Sequence, residues 1–273
     1  LFGLETGYGC CTANYHQGWP KYAANLWLAT PDNGLAVLVY APSVVTAKVA
    51  DGVTVIFSEK TNYPFDETVT FTLEKGKAAF FPFHLHIPGW CTEAVIVING
   101  KEYQKPQAGS IVKIYRTWQK GDVLTLTLPM RIRISYWHER SVGIERGPLV
   151  FALKLQEQWN QVEGEGPYAT YEVTTSSPWN YGILRACLNN PDSAFQVKTL
   201  PVLPQPWKAE NAPIEIITKG RKIPEWQKYG GVTGPLPYSP YWGSIRSDEP
   251  IEDIILIPYG CTKLRISEFP VVR

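Results

Sequence analysis

Gly121-Asp122-Val123-Leu124-Thr125-Leu126-Thr127-Leu128 is the stretch whose reading decides the fold. A turn pair opens it, and then three leucines alternate with two threonines. Successive side chains of a strand point to opposite sides, so a period of two predicts a half-buried antiparallel strand with a definite inner face. Short β-branched or aromatic runs lie upstream, at residues 35–40, 53–57, 68–73 and 94–98, separated by turn residues as in a sandwich. Asn99-Gly100 is a hairpin signal. Downstream, residues 131–137 and 149–153 continue the pattern, and 214–218 and 254–258 read as later strands. Residues 156–166 are polar and contain glycine, which predicts a loop, and the proline-dense stretch 201–240 predicts long irregular connections.

One segment has a different character. Residues 12–29 carry Ala23, Ala24, Leu26, Trp27 and Leu28, and read as a helix with Thr12 as N-cap, kinked or restarted at Pro20. Pro31-Asp32-Asn33-Gly34 ends it with strong turn chemistry. The expected organisation is a helical segment over 1–30, a first β-sandwich over 31–145 and a second over 146–273. The boundary is expected between His138 and Gln156.

Composition narrows the function. The chain has 273 residues, long enough for two medium domains, and its 26 basic and 25 acidic side chains leave a net charge of +1. That lacks the basic excess expected of a nucleic-acid or anionic-membrane partner, and neither is expected. No apolar run approaches the roughly 18 residues of a membrane-spanning helix. The sequence opens at Leu1 without an initiator methionine, as if cut from something longer.

The five cysteines, Cys10, Cys11, Cys91, Cys187 and Cys261, are odd in number and irregular in spacing, which argues against a disulfide framework. Cys91, Cys187 and Cys261 read as small buried hydrophobes. The adjacent pair between Gly9 and a helix start admits three readings: chance burial, a strained vicinal disulfide, or a metal or nucleophile site. Backbone N–H groups at a helix start favour a thiolate over a thiol. His84 and His86 alternate on a strand and face the same side, which suits a hydrogen-bonding pair better than a metal site lacking a third ligand. His16 and His138 stand alone.

Seven motifs in series carry a resemblance across the whole chain. They are Gly9-Cys10-Cys11-Thr12-Ala13-Asn14, His16-Gln17-Gly18-Trp19-Pro20-Lys21, Thr61-Asn62-Tyr63-Pro64-Phe65 and Ile87-Pro88-Gly89-Trp90-Cys91, then Arg146-Gly147-Pro148-Leu149-Val150, Ser177-Pro178-Trp179-Asn180-Tyr181-Gly182 and Pro258-Tyr259-Gly260-Cys261-Thr262-Lys263-Leu264-Arg265. Together they resemble glycoside hydrolase family 127, the β-L-arabinofuranosidase-like enzymes. The resemblance implies a mainly β chain of two antiparallel β-sandwich domains, preceded by a short helical remnant of an (α/α)6 barrel. It implies a retaining glycosidase acting on arabinose-containing glycans, with zinc held by three cysteines and one glutamate. Cys10 would be the nucleophile, and Cys10 and Cys11 would both be zinc ligands.

The remaining zinc ligands and the acid/base glutamate lie upstream of the Cys-Cys pair in that family, where this sequence has nine residues and Glu5 as its sole carboxylate. Two thiolates supply at most half of a tetrahedral shell, so this chain alone is expected to bind no zinc tightly and to be inactive. Its partner would be the missing N-terminal barrel domain. The helix over 12–29 is expected to cover Tyr22, Leu26 and Trp27 against the first sandwich or against a second copy in a homodimer. The alternative is a non-catalytic carbohydrate-binding or structural β-sandwich module, with Trp90, Trp179 and Trp242 as candidate sugar-stacking rings.

Overall fold

A computed structural model describes residues 1–4, 7, 9–240 and 244–273, with Thr12 described by its backbone alone. The protein is mainly β and divides into two compact units.

The first unit spans Gly9–Met130. It opens with two short helices, α1 (Gly9–Tyr15) and α2 (Gly18–Ala24). Five strands follow: β1 (Trp27–Ala29), β2 (Leu35–Val37), β3 (Ser43–Val49), β4 (Val53–Thr61) and β5 (Thr68–Lys75). Five more complete the unit: β6 (Ala79–His86), β7 (Val95–Ile98), β8 (Lys101–Gln104), β9 (Ile111–Trp118) and β10 (Val123–Thr127). One sheet runs in the order β1-β2-β6-β9 and the other in the order β3-β4-β5-β10-β7-β8. All neighbours are antiparallel except β2 and β6, which pair in parallel with Leu35 opposite Phe83.

The β10 reading holds residue by residue. Leu124, Leu126 and Leu128 are buried, while Thr125 and Thr127 are half-buried on the other side. β10 lies between β5 and β7, and Asn99-Gly100 closes the β7–β8 hairpin with positive φ at both residues, as a primed two-residue turn requires. Phe57, Phe71, Phe81, Phe83 and Trp118 are fully buried in one core cluster with these leucines. Removing each such side chain from water is worth about 1.5–3 kcal/mol, which holds the sheets together.

The helix expected over 12–29 is corrected. It is broken at His16-Gln17 into α1 and α2, and it ends at Ala24. Thr12 lies inside α1 instead of capping it, and Pro20 sits in the first turn of α2, where a missing N–H costs nothing. Residues 27–29 become a strand because tertiary packing overrides propensity. The Trp27 ring lies 5.7 Å from Phe71, 5.9 Å from Phe83 and 6.1 Å from Phe57, and its Nε1 donates to Ser43 Oγ at 2.9 Å. The turn after β1 needs Gly34, since a Cβ there would stand 2.2 Å from Pro82 O on β6.

The second unit joins Leu1–Tyr8 to Arg131–Arg273. It takes in β11 (Ile132–Tyr136), β12 (Val142–Arg146) and β13 (Leu149–Leu153). The division falls after Met130, ahead of the expected 138–156 interval, because β11 pairs with β12 along its whole length. β13 continues through Glu252–Pro258 to Ile214–Lys222 and Tyr181–Leu184, in a sheet of eight strands among the described residues. The loop expected over 156–166 is instead a strand, Gln158–Glu163, paired with Thr170–Thr174. Both faces of that strand are exposed, so no apolar alternation marks it in the sequence.

Candidate active-site cysteines and their surroundings

Cys10 and Cys11 are the second and third residues of α1, and both are exposed. Their sulfurs are 3.8 Å apart, far beyond the roughly 2.05 Å of a disulfide bond, so the two are not bonded to each other. The turn is held locally by Asn14, whose Nδ2 donates to Cys10 O at 2.7 Å. Every described side chain of α1 is exposed, and α2 has no buried residue. Tyr15, Trp19 and Tyr22 form an edge-to-face row along the two helices, at 6.3 and 6.5 Å between centroids. Of the apolar side chains expected to need cover, Leu26 and Trp27 find it after the helices have ended, while Tyr22 stays 45% exposed.

The other three cysteines are free and buried. Burial raises the Cys91 thiol, and it pushes Cys261 up to about 11. Among the described residues no group of three or more His, Cys, Asp or Glu side chains could hold a metal ion. His84 is buried with Nε2 3.3 Å from Asp32 Oδ1, and Lys113 Nζ stands 3.8 Å from Asp32 Oδ2. The histidine thus faces a carboxylate that ties the β1–β2 turn to the sheet, while the backbone oxygen of His86 accepts from Tyr40 Oη. His16 is exposed, and His138 Nε2 lies 3.3 Å from Glu139. Trp90 is partly buried against the first core, and Trp179 packs on Trp226 at 5.0 Å, so neither stands free as a stacking ring. Trp242 lies outside the described residues.

Sequence reasoning missed Glu59. Its carboxylate is 2% exposed on β4 and accepts from Ala41 N and Ser43 Oγ, both at 3.1 Å. Burial pushes its pKa up to about 7 against those two hydrogen bonds. A Glu in an alternating strand reads as a solvent-side residue, so no local signal marks it. Only the pairing of β3 with β4, which sets Ser43 opposite Glu59, brings the network together.

Residues 34–130 match the sequence profile of the middle domain of GH127 β-L-arabinofuranosidases. Over that stretch the chain is similar to a family 127 middle domain. The matched stretch ends at Met130, where the first compact unit ends.

Solved structures extend the likeness of fold beyond it. One, described as a glycoside hydrolase, is 23% identical with a TM-score of 0.66, over 97% of this chain and 40% of its own length. A GH127 β-L-arabinofuranosidase from Geobacillus stearothermophilus T6 is 22% identical with a TM-score of 0.63, over 97% of this chain and 37% of its own. A GH127 β-arabinofuranosidase is 17% identical with a TM-score of 0.65, over 96% of this chain and 38% of its own. The chain therefore spans about two fifths of the length of these structures. No curated protein sequence matches it.

Proposed function

We propose that the chain is the β-rich C-terminal part of a retaining glycosidase of the β-L-arabinofuranosidase type, with Cys10 as nucleophile and Cys10 and Cys11 as zinc ligands. The observation that carries this reading is the separation of the two sulfurs in a chain similar over residues 34–130 to a family 127 middle domain. Tetrahedral zinc with Zn–S bonds of about 2.3 Å sets two thiolates about 3.8 Å apart. The observed 3.8 Å fits the two thiols to two of four such positions. When bound, zinc would lower the thiol pKa and hold the sulfur in place.

The chemistry assigned to this chain's own residue is substitution at carbon. The Cys10 thiolate attacks the anomeric carbon of an arabinose unit, and the glycosidic C–O bond breaks as a carboxylic acid protonates the leaving oxygen. Water, deprotonated by the resulting carboxylate, then displaces the sulfur, and two inversions retain the configuration. Neither that carboxylic acid nor the rest of the zinc shell is assigned to the described residues. We assign both to an N-terminal helical barrel, with the Tyr15, Trp19 and Tyr22 row as the surface that meets it. Dimerisation through the same row is the alternative, and sedimentation of the chain separates the two.

Assay of the purified 273-residue chain with an aryl β-L-arabinofuranoside and added zinc tests the assignment. The expected result is no release above buffer. Hydrolysis by the chain alone would place acid, base and nucleophile within it and overturn the division of labour.

A further inference from the structure

The turn at the end of β11 holds an exposed tryptophan in place. Trp137 Nε1 donates to Ser135 Oγ at 2.8 Å. Ser135 Oγ and the ring sit over Gly143 of β12, where a Cβ would stand 2.8 Å from that oxygen, 3.0 Å from Nε1 and 3.3 Å from Cδ1. Glycine thus leaves the space in which the indole rests on the strand, and 59% of the Trp137 surface stays open to solvent. A large apolar ring, fixed by a hydrogen bond and left uncovered, is a stacking platform with little ordering left to do.

The adjoining backbone is held in a sparsely populated conformation. Glu139 and Arg140 both have positive φ, at 52° and 58°, and are non-glycine residues in succession. Trp137 N donates to Ser141 O at 2.9 Å, Ser141 N to His138 O at 3.0 Å and Ser239 N to Glu139 O at 2.9 Å. Left-handed residues held by surrounding structure concentrate at ligand clamps.

This turn walls a cavity of about 420 Å³, lined in part by Tyr136, Trp137, Arg140, Arg185, Asn189 and Ser239. Its described lining has two guanidinium groups and no carboxylate. Arg185 Nη2 donates to Pro240 O at 3.4 Å, while its Nε is buried and makes no hydrogen bond among the described residues. A buried cationic donor left unpaired favours an anionic acceptor, and guanidinium binds planar carboxylates best.

We propose that this cavity binds an acidic sugar of a glycan chain, a uronic acid residue stacked on Trp137 with its carboxylate on Arg185. Calorimetric titration of the 273-residue chain with trigalacturonic acid tests it. Saturable binding is expected, weakened at least tenfold in Trp137→Ala and in Arg185→Gln, with unfolding midpoints close to that of the parent. Gly143→Ala, which crowds Ser135 Oγ and the indole it anchors, should weaken binding in the same way. The methyl ester of the same trisaccharide, which keeps the rings and loses the charge, should bind at least tenfold more weakly to the unmodified chain, a comparison that needs no variant. Absence of binding, equal binding of acid and ester, or undiminished binding by Trp137→Ala would overturn the proposal.

Discussion

Cys10 and Cys11 present their sulfurs 3.8 Å apart on consecutive exposed residues of a helix, whereas the other three thiols of the chain are buried. Accessibility controls alkylation, and burial raises Cys91 and Cys261 further out of reach. Native treatment with iodoacetamide is expected to label Cys10 and Cys11 only, and treatment in guanidinium to label all five cysteines. Mass spectrometry counts the adducts, and native labelling of Cys91, Cys187 or Cys261 would contradict this packing.

Trp27 and Trp19 stand eight residues apart but on opposite sides of the helix-to-strand change. The Trp27 ring is packed among three phenylalanines, while Trp19 is 60% exposed. Trp27→Ala should lower unfolding free energy by about 3 kcal/mol, and Trp19→Ala by less than about 0.5 kcal/mol. Denaturant titration measures both. Equal effects would return residues 27–29 to an exposed helix.

Glu59 makes stability depend on pH in the sense opposite to a paired surface carboxylate. Its folded pKa, about 7, lies above its ordinary value of 4.5. The folded state therefore favours the protonated form; the contribution is complete below the ordinary value and is lost as pH rises through about 7. Stability should fall on the order of 2–3 kcal/mol between pH 5 and pH 8, and Glu59→Gln should flatten the profile. Chemical denaturation across that range tests it, and an unchanged slope in the variant would remove Glu59 as the cause.

Gly34 lies against Pro82 O so closely that any Cβ must push β2 and β6 apart. Gly34→Ala should destabilise the first unit by about 1–3 kcal/mol, whereas Gly18→Ala, with open space around it, should be near neutral. Thermal unfolding of the two variants makes the comparison.

The sandwich strands were legible because their cores alternate: Leu124, Leu126 and Leu128 announce both the strand and its inner face. The Cys-Cys pair stood out in the sequence by its rarity, and both thiols are exposed. Trp27 was not, since good helix formers precede it and its place is set by Phe57, Phe71 and Phe83, far along the chain. Gln158–Glu163 was hidden for the converse reason, being a strand with no buried face. Glu59 and Trp137 were missed because their significance comes from partners, Ser43 and Gly143, that the pairing of strands supplies.

Cobalt titration of the reduced chain tests the half-site most directly. Two adjacent thiolates should give a weak, saturable thiolate-to-cobalt charge-transfer band, removed in both Cys10→Ser and Cys11→Ser and competed away by a modest chelator. The absence of any such band, or tight one-to-one binding that resists the chelator, would contradict the assignment of Cys10 and Cys11 as half of a metal-thiolate centre completed from elsewhere.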